Sequence, residues 1–219
     1  MLPDKDGKIE DCVLGFDTQA EYDRIRDHTN FFGATVGRVA NRIAGSVFYT
    51  DSHKIEVEVN EGEKNHLHGG NKSWHRKNWE SKEVYNGVEF SYNSPDGDCK
   101  YPGNVLVSVR YILEKEKLKI SFEARLAEGE TKSTPINLTN HTYFNLAGHN
   151  STDSVLSHLL RVHADHYTPT DSACIPTRVC KSLKDEPSMD FRHETKLEDS
   201  LRMIAEAKGY SEEEIEQAV

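Results

Sequence analysis

"VLVSVRYILEKEKLKISFEARL", residues 105–126, decides the fold class. Val105, Val107, Val109, Tyr111 and Leu113 alternate with more polar neighbours. After Glu114-Lys115-Glu116-Lys117 the alternation resumes, with Leu118, Ile120, Phe122, Ala124 and Leu126 set against Lys119, Ser121, Glu123 and Arg125. A period of two puts each set on one face of a strand, so the stretch predicts two antiparallel strands joined by a charged four-residue turn. Upstream, Ile55, Val57 and Val59 alternate with Glu56 and Glu58, and Asn86-Gly87 lies between two further strand-like runs. That dipeptide predicts a two-residue hairpin turn because both positions tolerate positive φ. Strands at this spacing favour an all-β chain, a large antiparallel sandwich or barrel, over any βαβ arrangement.

A second stretch, "STPINLTNHTYFNLAGHNST" (133–152), points to a binding face. Between Pro135 and Asn150 no side chain is charged, in a chain of which 29% of residues are. Read as an extended strand, it places Ile136, Leu138, Asn140, Thr142, Phe144 and Leu146 on one face. Asn137, Thr139, His141, Tyr143 and Asn145 then share the other. A half-exposed strand with a solvated polar face is one reading. The other is a site for a neutral, polyhydroxylated ligand, since amides, hydroxyls, an imidazole and a phenol offer hydrogen bonds without charge.

The ends of the chain change character. "DTQAEYDRIRDH" (17–28) predicts a short surface helix capped by Asp17 or Thr18. From Lys196 onward the period becomes helical, with Leu197, Leu201, Ile204 and Ala205 on one face, Gly209 as a stop, and Ser211 with Glu214 as a capping box. The organisation expected is therefore a β-domain over 1–195 and a helical tail over 196–219.

Composition narrows the partners. A net charge of −10 over 219 residues argues against a general nucleic-acid or anionic-membrane binder. No apolar run is long enough to span a bilayer and no signal peptide opens the chain, so the expected location is cytoplasmic. Cys12, Cys99, Cys174 and Cys180 form no CxxC pair, which fits reduced thiols better than a disulfide frame. A Cys174–Cys180 pairing stays open.

Three more stretches carry candidate chemistry. "GATVGRVANRIAGSVF" (33–48) sets Asn41 and Arg42 among small residues, where Arg42 has room to reach a ligand or simply to serve as an ion-pair partner. "NHLHGG" (65–70) puts His66 and His68 on one side of an extended backbone. A zinc reading there needs a third ligand, for which His75 is the nearby candidate, and the spacing does not supply it. "YPGNV" (101–105) reads as a structural turn.

Taken in order, GRVANRI, LHGG, SPDGD, YPG, NLTNHTYFNLAG and ADHYTPTDSACIPTR closely resemble the aldose 1-epimerases, also called galactose mutarotases, from about Asp4 to Arg192. The resemblance implies a large antiparallel β-sandwich (the galactose mutarotase-like supersandwich), here incomplete at both ends and carrying a short C-terminal helical tail. It implies interconversion of the α and β anomers of hexoses such as galactose and glucose, with a small aldohexose as partner. No metal or organic cofactor is implied, and the complete family form is expected to be a monomer. The histidine of NHTYFNL, His141, matches the general acid. His68 matches a residue that binds the sugar and supports proton transfer, and Asn41 and Arg42 match a sugar-binding pair. Tyr143 lies beside the acid. An imidazole suits such a role because it gives and takes a proton near neutral pH. Family members are longer at both ends, and the part beyond Val219 is where the resemblance implies the general-base glutamate. Slow or absent mutarotation is therefore expected of this chain, with a non-catalytic sugar-binding β-sandwich as the alternative.

Overall fold

The computed structural model describes residues 2–3, 7–24, 31–50 and 53–211. In chain order the strands are β1 (Leu2–Pro3), β2 (Ile9–Glu10), β3 (Thr35–Val36), β4 (Arg42–Ile43), β5 (Val47–Thr50), β6 (His53–Glu56), β7 (His66–Leu67) and β8 (Glu80–Val84). There follow β9 (Gly87–Ser94), β10 (Val105–Glu114), β11 (Lys117–Leu126), β12 (Thr139–Asn140), β13 (Leu159–Leu160), β14 (His166–Tyr167), β15 (Lys181–Ser182) and β16 (Thr195–Lys196). Two α-helices are described, α1 (Gln19–Arg24) and α2 (Leu197–Ala207). Among the described residues every ladder is antiparallel, as the alternating patterns predict. The chain divides into two compact units, one of residues 16–142 and one of 1–15 with 143–219.

The frame of the first unit is a four-stranded meander in the order β11-β10-β9-β8. Its central hairpin follows the sequence pattern residue for residue: β10 pairs with β11 from Val105↔Leu126 to Glu114↔Lys117, and Lys115 takes the left-handed conformation (φ 54°) that closes the turn. Val105, Val107 and Val109 are buried on one face of β10. With Val36, Val57, Trp74 and Tyr101 they form the core of this unit.

The β8–β9 hairpin corrects the expected turn by one position. Val84 pairs with Gly87, so the loop residues are Tyr85 and Asn86, and only Asn86 has positive φ (54°). Gly87 is needed for space: a Cβ there would lie 1.9 Å from the carbonyl oxygen of Tyr111 on β10. The charge-poor stretch is corrected too. Only Thr139–Asn140 forms a ladder, with Val36 and Thr35 of β3, while Asn137 makes a separate parallel bridge to Val39 and Phe144 an antiparallel one to Val13. The partners come from separate segments, so pairing is interrupted.

Arg38 explains why GRVANRI, SPDGD and YPG belong together. It is 1% exposed. Its guanidinium donates to the carbonyls of Ser94, Pro95, Pro102 and Gly103 and to the hydroxyls of Ser94 and Thr134, at 2.7–3.1 Å. The 94–103 loop thus folds around one planar fork of donors. The Asp98 carboxylate accepts from the Ser94 hydroxyl (2.7 Å) and from the Lys77 ammonium (2.8 Å), which brings a negative charge close to the buried cation.

Helix α1 begins with Thr18, whose backbone N–H and hydroxyl both donate to Glu21 (3.0 and 2.7 Å). The predicted helix beyond Arg24, and the Ser211–Glu214 capping box, lie outside the described residues. In the second unit α2 covers the first part of the predicted tail, Leu197–Ala207, and Gly209 (φ 82°) follows its end. Its inward face is centred on buried Ser200, which donates to the Ser188 carbonyl, and Leu201 is exposed. A polar anchor has displaced the leucine of the expected apolar stripe. The Cys174–Cys180 pairing is not formed; all four cysteines are free. No helix among the described residues is long and apolar enough to cross a membrane.

Candidate active site

Three segments of the first unit meet at one open cleft of ≈ 640 Å³, lined by Ala40, Asn41, Arg42, His68 and the run from Asn137 to Thr142. The short β4–β7 pairing, Arg42↔Leu67 and Ile43↔His66, brings the NHLHGG motif beside GRVANRI. Beyond it the two backbones clasp. The Asn41 N–H donates to His68 Nδ1 (2.9 Å), and the His68 N–H donates to the Asn41 carbonyl (3.0 Å). Both residues hold left-handed backbone, at φ 59° and 50°. Non-glycine residues in that region cost energy and concentrate at functional sites.

The clasp fixes the tautomer of His68. Nδ1 accepts a hydrogen bond, so in the neutral ring the proton sits on Nε2. Burial pushes the His68 pKa down to about 4, helped by the nearby His141 and Arg42 and opposed by Glu61. His68 is therefore a neutral Nε2–H donor at physiological pH.

His141 enters from the charge-poor stretch. Its N–H donates to the Ala34 carbonyl (2.9 Å) and its carbonyl accepts from the Gly33 N–H (3.1 Å), so its backbone is held on both sides. The His68 and His141 rings meet edge to face, centroids 5.2 Å apart. The neighbouring Asn140 turns the other way. It donates to the Gly33 carbonyl (3.2 Å) and the Tyr111 hydroxyl (3.4 Å), and its Oδ1 accepts from the Thr142 N–H. The two-face reading of this stretch holds only in part, because the cleft is lined by residues of both faces, from Asn137 to Thr142.

Arg42 lines the cleft and is at the same time the ion-pair partner of Glu61. Glu61 takes its Nε (2.6 Å) and its Nη2, while Nη1 donates to Asn41 Oδ1 (3.1 Å). This two-pronged pairing fixes the plane of the guanidinium. Glu61 was missed by sequence reasoning, because its only signal is a carboxylate shortly before NHLHGG.

The expectation that His66 and His68 lie on one side is wrong. The positive φ of His68 breaks the strand alternation after Leu67. His66 is fully buried, its Nδ1 bonded to the Glu58 carbonyl (2.6 Å) and its Nε2 to the Tyr101 hydroxyl (2.7 Å). His66 is a core polar link. His75 bonds Ser73 Oγ through Nδ1 (2.6 Å) and accepts from Arg76 Nε at Nε2 (3.1 Å). Among the described residues no group of three or more His, Cys, Asp or Glu is placed to hold a metal ion. Tyr143 belongs to the second unit and is 39% exposed; its carbonyl accepts from the Leu14 N–H (3.0 Å).

Comparison with known proteins identifies the family. The family model for aldose 1-epimerase matches residues 1–216, further than the motifs alone reach. The galactose mutarotase of Bos taurus is 40% identical over 183 residues, covering 84% of this chain and 51% of its own length. The aldose 1-epimerase of Escherichia coli K12 is 35% identical over 193 residues, covering 87% and 53%. A solved GalM/aldose epimerase homologue from C. elegans aligns with a TM-score of 0.78 at 34% identity, over 90% of this chain and 58% of its own. A galactose mutarotase-like protein from Clostridium acetobutylicum shares the fold at 15% identity and a TM-score of 0.63, over 78% and 52%. The chain spans about half the length of the curated relatives it matches. With the motifs, the antiparallel β-sandwich and the family model in agreement over nearly the whole sequence, the chain belongs to the aldose 1-epimerase family.

Proposed function

We propose that the cleft binds an aldohexose such as galactose or glucose, and that His141 is the proton donor for opening its ring. Anomer exchange needs a proton delivered to the ring oxygen while another leaves the anomeric hydroxyl. Rotation about the adjoining carbon–carbon bond and reclosure then give the other anomer. His68 offers an Nε2–H and Arg42 a fixed guanidinium, suited to holding sugar oxygens while His141 moves the proton. Asn41 serves through its backbone clasp on His68 and its hydrogen bond from Arg42.

The observation that carries this reading is the His68–His141 pair, ring centroids 5.2 Å apart, on a cleft otherwise lined by amides, hydroxyls, one guanidinium and the apolar Ala40 and Leu138. That lining suits a neutral polyol. Among the described residues no carboxylate lines it, and both oxygens of nearby Glu61 are engaged by Arg42. A missing positioned base typically costs about 100- to 10,000-fold. The expected outcome is thus hexose binding with slow mutarotation. Polarimetry on freshly dissolved α-D-galactose, paired with calorimetric titration, tests it. Residual acceleration should disappear in His141→Asn. Mutarotation at the rate of a complete two-group site, or no binding of any aldohexose, would overturn the proposal.

A further inference from the structure

We propose that Phe31 is a positioning residue for the histidine pair, packing against His68, His75 and His141 at once and keeping water from the first two. The centroid of its ring lies 4.7 Å from His68, 4.5 Å from His75 and 5.5 Å from His141. The first two contacts are edge to face, at 64° and 62°, and the third is a stack at 28°. One aromatic ring therefore limits the rotation of three imidazoles. Two of these, His68 and His141, also touch each other.

The backbone of Phe31 supports this assignment independently. Its φ is 50°, a conformation that a bulky L-residue adopts only at an energetic cost. Asn41 and His68, which line the cleft, share the left-handed conformation. No turn chemistry calls for phenylalanine at such a position, where Gly or Asn is favoured. Its ring is what the site uses.

The consequence is a division of labour among the histidines. His68 faces His141, Arg42 and Glu61, and His75 faces Arg76, His68 and the Ser73 hydroxyl. For both, burial is the largest cause holding the pKa down, to about 4. Each then has a defined neutral tautomer, His68 with its proton on Nε2 and His75 with its proton on Nδ1. Proton transfer is left to His141. This last step rests on the proposed sugar chemistry, but the packing role does not.

The test is an NMR titration of the histidine side chains in the 219-residue protein, with no sugar present. In the wild type His68 and His75 should titrate near 4. In Phe31→Ala both midpoints should rise by about one unit or more as water enters. In Phe31→Leu, which keeps apolar cover, they should stay low. The imidazole protons of His68, His75 and His141 should all shift there as the ring current of Phe31 is lost. Wild-type midpoints near 6.5 overturn the proposal without any variant. Unchanged midpoints in a folded Phe31→Ala, or unmoved imidazole signals in Phe31→Leu, overturn it as well. A protein that shows the depressed midpoints yet binds no hexose would refute the sugar reading and leave the role of Phe31 standing.

Discussion

Replacing Arg38 by methionine removes the hub of the first unit without a large change in volume. Four carbonyls, those of Ser94, Pro95, Pro102 and Gly103, lose their donor. At about 1 kcal/mol each, the low end for a buried acceptor left unpaired, the loss is about 4 kcal/mol. Relief from burying a cation and the added apolar contact of Met offset about 1 kcal/mol of this, leaving about 3 kcal/mol. That is a large share of the total stability of a typical domain. With a urea m-value of about 2 kcal/mol/M, the unfolding midpoint should fall by about 1.5 M. Urea titration followed by tryptophan fluorescence reads this well, since Trp74 donates to Ser94 Oγ and sits in the same network. Arg38→Lys should lose most of the same stability, because one ammonium cannot serve acceptors spread around a planar fork. A midpoint within about 0.3 M of wild type for Arg38→Met would show that the 94–103 loop does not depend on this residue.

Other expectations follow from single positions. Gly87→Ala should cost about 2 kcal/mol or more by thermal or urea unfolding, since its Cβ would meet the Tyr111 carbonyl at 1.9 Å; Gly97→Ala, with open space but φ 82°, should cost only about 1 kcal/mol. Lys115→Gly should stabilise the protein by a few tenths to about 1 kcal/mol, because it relieves the left-handed turn residue at φ 54°. Acid should destabilise the fold in a defined window. The folded pKa of His68 and of His75 is about 4, against an ordinary value of 6.5, so the unfolded chain binds more protons between those values. Stability contributed by the two neutral rings is complete above 6.5, falls as pH drops toward 4, and changes little further below, as urea midpoints across that range should record. Glu61→Gln should weaken hexose binding measurably in calorimetry by releasing the Arg42 guanidinium, while leaving the low His68 midpoint in place.

Legibility in the sequence followed locality. The 105–126 hairpin was readable to the residue because both strands and their turn lie within one stretch and alternate cleanly. Gly87 was misassigned because a glycine marks either a positive φ or a close approach, and only the β10 backbone shows which. The 133–146 run looked like one strand, yet its partners are Val39, Val36 with Thr35, and Val13, three pairings that no local pattern announces. His141, His68, Asn41 and Arg42 were found through their motifs, and the fold brings them to one cleft. His66 was grouped with them because two-residue spacing assumes an extended chain, which the left-handed His68 interrupts. Phe31, Glu61 and Arg38 escaped for a common reason: their roles consist of contacts to residues 19 to 110 positions away.

The most direct test is to titrate D-galactose into the protein while recording the side-chain NMR signals of its histidines. Saturable shifts of His68 and His141 are expected, with buried His66, bonded to Glu58 and Tyr101, unmoved as an internal control. Saturable shifts at other histidines with His68 and His141 silent, or no shift at all up to high millimolar sugar, would contradict it.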